Sequence, residues 1–437
     1  MFLTNRFFGT FGIVIALFAL AFPFPWIFPI AQAALVLAIA CTLADILLLY
    51  RQRPALVAKR TINSILSLSD PNPVEIYLDN QSALHLHLSI ADELPEQFQR
   101  RDFEIKLWLK PGAAYVLKHT LLPLSRGVYA FGDINLFVST LLGLVERRLV
   151  IPQAQEVAVY PSIVQMKRFE LRAMQQIAHE SGIKKMRRIG HSYEFEQIKN
   201  YVAGDDYRSI NWKASGRRNA LMVNQYEDER SQQVYCLIDK SRVMRMPFEG
   251  LSLMDYAINT SLAISNIILK KQDKAGLFTF SDVIGATLKA ERDSGQLHRI
   301  LEALYREKER QGEASYELLY EAVRRLIGVR SLLLLFTNFE SSYALDRAMP
   351  TLRRLSSFHL LVVVFFENTE IRALSQEPVY KTADIYQQTV ARQFLQEKKE
   401  MVQKLRQFGI QAILTKPQDL TLNTINKYLE LKSRGLV

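Results

Sequence analysis

The residues with the clearest capacity for chemistry lie between Gly190 and Leu221, in the stretch GHSYEFEQIKNYVAGDDYRSINWKASGRRNAL. It combines a carboxylate pair, Asp205 and Asp206, with two further acids, Glu194 and Glu196, and follows them with Arg208, Lys213, Arg217 and Arg218. Paired acids can run general acid–base chemistry when their surroundings push their pKa values apart. A hydrolase using Glu194, Asp205 and Asp206 would also call for a nucleophile, a phosphate-cradling glycine loop or a metal-ligand spacing, and none accompanies them. Arg208 and Lys213 stand near enough in sequence to neutralise the acids. Tyr201, Ile210 and Trp212 are more apolar than a plain surface loop requires. The mixture reads as a charged, partly buried junction, where acids and guanidinium groups pair because burying either alone is costly.

A second set of polar residues follows two apolar runs. Asp239-Lys240-Ser241 comes directly after Val234–Ile238, and Thr337-Asn338-Phe339-Glu340 directly after Leu332–Phe336. In an open α/β sheet, ligands bind at the carboxyl ends of the strands, so these loops are where a site belongs. A carboxylate and hydroxyls from such loops could hold Mg²⁺, which takes hard oxygen ligands. The pattern resembles the metal-ion-dependent adhesion site of von Willebrand factor A domains, which reads Asp-x-Ser-x-Ser with a Thr and an Asp from later loops. Asp239 and Ser241 fit. Val243 holds the second serine position and cannot coordinate, Asn338 stands where a charged Asp is usual, and Ser315 is the candidate replacement for the threonine. The resemblance therefore implies a degenerate site on Asp239, Ser241, Ser315 and Asn338, short of oxygen donors and of one negative charge.

Several elements must position these groups. At 437 residues the chain is too long for one core, and two or three domains are expected. Its 49% hydrophobic content is concentrated at the N-terminus, where no charged residue occurs from Phe7 to Ala44. A run that long can cross a bilayer twice, at roughly 20 apolar residues per crossing. Pro23, Pro25 and Pro29, with Trp26 among them, break it into two expected spans, Phe7–Phe24 and Ile27–Tyr50. Arg6 precedes them, and Arg51, Arg53, Lys59 and Arg60 follow, so the positive-inside rule puts both ends in the cytoplasm. Ala31-Gln32-Ala33 has the spacing of a signal-peptide cleavage site, but Ala34–Tyr50 continues as an apolar run that a mature N-terminus would not tolerate. Asp45 falls near the cytoplasmic end of the second span, where its carboxylate is expected to reach water. The net charge of +11 suits an anionic membrane face. The two cysteines, Cys41 in a span and Cys236 in a strand-like run, imply no disulfide framework.

The expected organisation is two transmembrane helices over 1–54, a β-sandwich-like domain over 55–161, a basic helical linker and motif segment over 162–231, and a doubly wound α/β domain over 232–437. Short alternating runs such as Val74–Leu78, Ala83–Ile90 and Glu104–Leu109, separated by Asp-Pro, Asp-Asn and Pro-Gly turns, carry the β assignment. His85 and His87 project from one face there, but a third metal ligand is not evident. The clustered Lys and Arg of 162–188 lack the aromatic interleaving of a nucleic-acid module and read as a solvated or membrane-facing surface. Beyond Gln232, apolar strands alternate with helices at Leu251–Leu262, Leu297–Tyr305, Tyr316–Ile327, Tyr386–Phe408 and Leu420–Leu431, the fourth stopped by Gly409.

The Gly190 stretch also resembles the signature of the bacterial domain of unknown function 58 family. The matching residues are Gly190, Glu194, Phe195, Tyr201, Gly204, Asp205, Asp206, Arg208, Ile210, Trp212, Lys213, Ala214, Ser215 and Arg217, while Gly216 departs from an alanine position. Arg126-Gly127, Phe131-Gly132, Leu142-Gly143-Leu144 and Val159-Tyr160-Pro161 resemble the family's upstream β region. The resemblance implies an N-terminal transmembrane pair, a von Willebrand factor A-like domain and no established catalytic activity. It implies partners of the MoxR-type AAA+ ATPase class and other von Willebrand-domain proteins, in systems that mature or assemble proteins. The implied protein is a non-enzymatic, membrane-tethered adaptor or scaffold at the cytoplasmic membrane. A Mg²⁺-dependent adhesion module is the alternative.

Overall fold

The computed structural model describes residues 1–51, 55–100, 104–180, 194–202, 207–227, 231–377 and 382–436. The fold is mixed α/β and divides into two compact units, Met1–Ser162 and Ile163–Val437.

The first unit opens with a two-residue strand β1 (Phe2–Leu3) and two apolar helices, α1 (Asn5–Ala21) and α2 (Phe28–Arg51). The segment Pro25–Tyr50 is long and apolar enough to cross a membrane, and only 11% of its most apolar window is buried. α1 is shorter: its 17 residues rise about 25 Å, against roughly 30 Å of hydrocarbon. The expectation of two full-length spans is therefore met by one helix only. The strands that follow are β2 (Leu56–Ile62), β3 (Ile65–Ser67), β4 (Asn72–Asn80), β5 (Leu86–Asp92), β6 (Glu104–Leu109), β7 (Ala114–Leu121), β8 (Gly127–Phe131), β9 (Ile134–Ser139), β10 (Val145–Ile151) and β11 (Gln155–Tyr160). They form sheets in the orders β1-β10-β9-β5-β6, β2-β4-β7 and β3-β11-β8. One apolar cluster draws on the first two sheets, with Ala58, Ile76 and Leu117 from one and Leu88, Leu136 and Val138 from the other. Alternation along β4 and β5 puts these residues inward at every second position.

Two charges in this unit differ from their expected roles. Asp45 is fully buried. Its carboxylate accepts the Thr140 hydroxyl and the backbone N–H groups of Leu144 and Val145, both at 2.9 Å. It terminates a loop rather than reaching water, because the chain returns at β10 to present unpaired donors beside it. Arg60 is a buried partner of Asp92, with further bonds to the carbonyls of Gln153 (3.1 Å) and Gly132 (3.0 Å), and is not a free juxtamembrane charge. The His87 ring lies 4.7 Å from that of Trp108, tilted 56° to it.

The second unit begins with α3 (Ile163–Glu180). The antiparallel pair β12 (Glu194–Asn200) and β13 (Met222–Glu227) brackets a short helix α4 (Trp212–Arg218). Then come β14 (Gln233–Asp239), the small pair β15 (Pro247–Phe248) and β16 (Leu251–Ser252), α5 (Leu253–Lys270), β17 (Lys274–Phe280), β18 (Ile284–Glu291), α6 (Gln296–Arg306), α7 (Tyr316–Leu326), β19 (Leu332–Phe336), α8 (Ser342–Phe358), β20 (Leu360–Phe366), α9 (Thr369–Leu374), α10 (Thr382–Gln407), β21 (Gln411–Thr415) and α11 (Leu420–Ser433). The main sheet runs β18-β17-β14-β19-β20-β21, parallel except for β18 at the edge.

Both faces of this sheet are covered, which explains its continuous apolar runs. Val234, Cys236, Ile238, Leu332 and Leu334 pack with α5, α6 and α11, while Tyr235, Leu237, Leu333 and Leu335 pack with α7, α8 and α10. The two-residue strand period deals successive side chains to opposite cores. Buried Asp273 ties the last helix to the sheet, accepting from Tyr428 Oη at 2.5 Å and from Lys432.

Candidate functional site

The chain leaves β14 in one direction toward β17 and later returns on the other side to build β19. The strand order therefore reverses between β14 and β19, and their carboxyl ends flank the crevice where open α/β sheets place ligands. Asp239 ends β14 and Thr337 follows β19, and both are fully buried. One Asp239 oxygen accepts the Ser241 N–H at 2.8 Å, and the other accepts the Thr337 hydroxyl at 2.7 Å. Thr337 in turn meets the Tyr316 hydroxyl at 2.9 Å. The Ser241 hydroxyl is buried beside the same carboxylate without a hydrogen bond of good geometry. Burial pushes the Asp239 carboxyl above its ordinary range, opposed by these hydrogen bonds.

Asn338 belongs to a neighbouring cluster. Its Oδ1 accepts from the buried ammonium of Lys398 at 3.2 Å, and Lys398 also bonds the Phe339 carbonyl. The ammonium lies 5.4 Å from the centroid of the Phe394 ring and 5.9 Å from that of Phe365. Burial lowers its pKa to about 8, against the pull of Glu397 and Glu340. Ser315 is spent elsewhere: its hydroxyl caps α7 by accepting the Leu318 N–H, and its own N–H bonds the Ser281 carbonyl. The adjacent Tyr316, not Ser315, reaches toward Asp239 through Thr337.

These residues do not fit a magnesium ion. The set offers a single carboxylate whose two oxygens already accept hydrogen bonds, and its Asn338 oxygen is held by a fixed cation, whereas Mg²⁺ needs several free hard oxygens in octahedral array. Among the described residues, no group of three or more His, Cys, Asp or Glu side chains could hold a metal. Sequence reasoning noted the Thr337 loop but not its role, and passed over Tyr316 and Lys398. A signal for Lys398 existed, since it falls on the inward stripe of α10 with Phe394, Met401 and Leu405.

The motif segment presents a different surface. Gly190, Gly204, Asp205 and Asp206 lie outside the described residues, so the acid pair and its neutralisation are not part of this geometry. The backbones of Glu194 and Phe195 open β12, facing Glu227 and Tyr226 of β13. Asn211 caps α4 by accepting the Ala214 N–H at 2.9 Å and bonds Asn224 Oδ1 at 2.8 Å. Ser215 locks the other side, accepting the Met222 N–H at 2.8 Å and donating to the Asn211 carbonyl. Asn219 ends the helix at φ 52°. Tyr201 and Ile210 are half-buried, in keeping with a partly buried junction. Trp212 is not: it is 72% exposed, next to Tyr207 at 69%. Lys213, Arg217 and Arg208 are also exposed, and the Arg208 guanidinium lies 5.7 Å from the Tyr207 ring centroid.

Residues 197–391 match the family model described as "Protein of unknown function DUF58", which is less than half of the chain. The "Uncharacterized protein YeaD" of Bacillus subtilis (strain 168) is 24% identical over 242 residues, covering 54% of this chain and 58% of that protein. The chain thus spans little more than half of that relative's length. Among solved structures, the CARDB domain of the PF1109 protein from Pyrococcus furiosus aligns at 17% identity over 24% of this chain and 93% of that one, with a TM-score of 0.19. Native alpha-2-macroglobulin from Escherichia coli aligns at 14% identity over 25% and 17%, with a TM-score of 0.21.

Proposed function

We propose that this protein is a membrane-anchored, non-enzymatic adaptor that binds partner proteins through the surface around Trp212. Trp212 carries the reading. A large aromatic side chain stands in solvent on a helix whose two ends are fixed by Asn211 and Asn219. Exposed Trp and Tyr beside Arg are the residue types enriched where interfaces concentrate their binding energy. The matched family segment includes this helix.

An AAA+ ATPase of MoxR type, acting in protein maturation or assembly, is the partner class that goes with the family resemblance. We read the α/β unit as von Willebrand factor A-like, supported by the crevice between β14 and β19 and by Asp239 and Ser241 within it. Partner binding at that crevice would be independent of Mg²⁺, because Lys398 already supplies a cation to Asn338.

For the anchor, we propose that α1 and α2 enter and leave the bilayer on the cytoplasmic side. Phe2–Leu3 pairs with β10, so the chain start and the strands after α2 share one side. A pass outward must therefore be matched by a return. This favours two crossings despite the short α1, since modest thinning or flanking residues can absorb a few ångströms of mismatch.

The test is purification of the full-length protein from native membranes in mild detergent, with and without a non-hydrolysable ATP analogue. An AAA+ ATPase should co-purify in a nucleotide-dependent manner and be lost with Trp212→Ala. Absence of any ATPase from the wild type, or its full retention by the variant, would overturn the proposal.

A further inference from the structure

At the amino-terminal ends of β19 and β20, opposite the Asp239 crevice, two adjoining clefts of about 170 Å³ and about 540 Å³ share Tyr320 and Arg324. The smaller is floored by apolar side chains, among them Val323, Ile327 and Leu355. Arg324 and Arg330 line it, and Arg325 and Arg354 line the larger one. Among the described residues, none of these four guanidinium groups enters a hydrogen bond or ion pair, although the Arg354 carbonyl accepts the Ser357 hydroxyl at 2.7 Å. Elsewhere in the same unit Arg299, Arg310 and Arg372 are paired with Asp293, Asp282 and Glu367, whereas the exposed Arg392 and Arg406 stand singly among the described residues; what sets the cleft apart is that four arginines gather there.

Helix dipoles explain only part of this cluster. Arg324 and Arg325 occupy the last turn of α7, where cations are favoured. Arg330 belongs to the loop after it, and α8 has no basic residue in its last turn, so Arg354 lies beyond that effect. An independent sign of a missing ligand is His359. The residue lines the smaller cleft and is only 6% exposed, and its buried Nδ1 has no hydrogen-bond partner. Buried polar atoms are ordinarily paired, so this nitrogen leaves bonding capacity unfilled in the wall of the cleft.

We propose that this cleft binds an acidic peptide segment carrying one apolar side chain. The apolar residue fills the recess over Val323, Ile327 and Leu355, and flanking carboxylates meet the arginines. Arginine is suited to this because its planar fork holds a carboxylate by two bonds. Glu317 and Glu321 also line the larger cleft and repel phosphates and carboxylates alike, so they disfavour a long anionic run and limit the peptide to a few carboxylates. The recessed apolar floor suits an inserted side chain better than a flat lipid surface. The site is independent of the Trp212 reading, on a different part of the unit's surface chemistry.

The test uses the full-length protein in detergent and a fluorescein-labelled short peptide of Asp, Glu and Ser around one central Leu, read by anisotropy. Binding is expected. The double variant Arg324→Glu, Arg354→Glu should weaken it by at least about tenfold, as should replacing the peptide's Leu by Ser. Arg306→Glu, at a 79% exposed side chain on α6 over the opposite face of the sheet, should leave affinity within about twofold. Unaltered melting of the double variant keeps a loss of binding attributable to the site. No binding, or equal binding by the double variant, would overturn the proposal. Saturable binding of soluble short-chain phosphatidylserine in place of the peptide, lost in the double variant, would overturn the peptide in favour of an anionic lipid.

Discussion

The two ends of the six-stranded sheet treat their polar groups in opposite ways. At the carboxyl end, Asp239, Thr337 and Tyr316 form a chain of hydrogen bonds, and Lys398 is engaged by Asn338 and Phe339. At the amino end, arginines and a histidine nitrogen stand without protein partners among the described residues. The carboxyl end carries the more suggestive residue types, yet its groups satisfy one another. The four arginines are exposed, so only water competes for their bonding capacity, and the contrast teaches that residue type says less about ligand binding than whether protein partners already fill that capacity. The Trp212 helix extends the lesson to apolar surface, since it is rigidly held but left uncovered.

The comparison can be broken most directly at Asp239. Asp239→Ala removes the acceptor for both Thr337 and the Ser241 N–H, and should lower unfolding free energy by about 3 kcal/mol in urea titration. A loss below about 0.5 kcal/mol would mean that the carboxylate is not a structural acceptor, and the crevice would then reopen as a binding site.

Lys398 gives the next largest effect, through pH. Its folded pKa, about 8, lies below its ordinary 10.5, so above pH 8 the unfolded chain binds the extra proton. Stability must then rise as pH climbs from about 8 to about 10.5, by up to about 3 kcal/mol, and fall back as pH drops through 8. Lys398→Met should lose this slope while costing stability through the unpaired Asn338 and Phe339 oxygens. Melting curves across that range read both.

Trp212→Ala should change stability by less than about 0.5 kcal/mol, as surface substitutions do, while weakening partner binding by about 2 kcal/mol or more. A large drop in melting temperature instead would make Trp212 a packing residue. The smallest expected effect is that of Mg²⁺, which should give no heat in calorimetric titration of the full-length protein and no change in its melting. A saturable heat abolished by Asp239→Asn would restore the metal-dependent alternative.

Much of the fold was legible in the chain because its periods are local. Leu332–Phe336 coincides with β19, the Val234 run with the core of β14, and Gly409 follows α10 at φ 76°. Among the elements not anticipated are α8 and β18. α8 contains Pro350, which argues against a helix interior, but Leu345, Ala348, Met349, Leu352 and Leu355 bury a full stripe that outweighs one lost hydrogen bond. β18 has weak alternation and exists because the edge of β17 supplies its partner.

The amino-acid sequence by itself determined the mixed α/β class, the apolar N-terminal segment and the loops at which β14 and β19 end. Those follow from patterns only a few residues long. The tertiary structure alone decided that Asp45 is buried, that Arg60 is paired with Asp92, and that Lys398 meets Asn338. It also gathered four guanidinium groups at the α7–α8 cleft that meet no protein partner among the described residues. The three pairings join residues distant in the chain, and the burial that sets their charge and bonding exists only once the sheets and helices have packed.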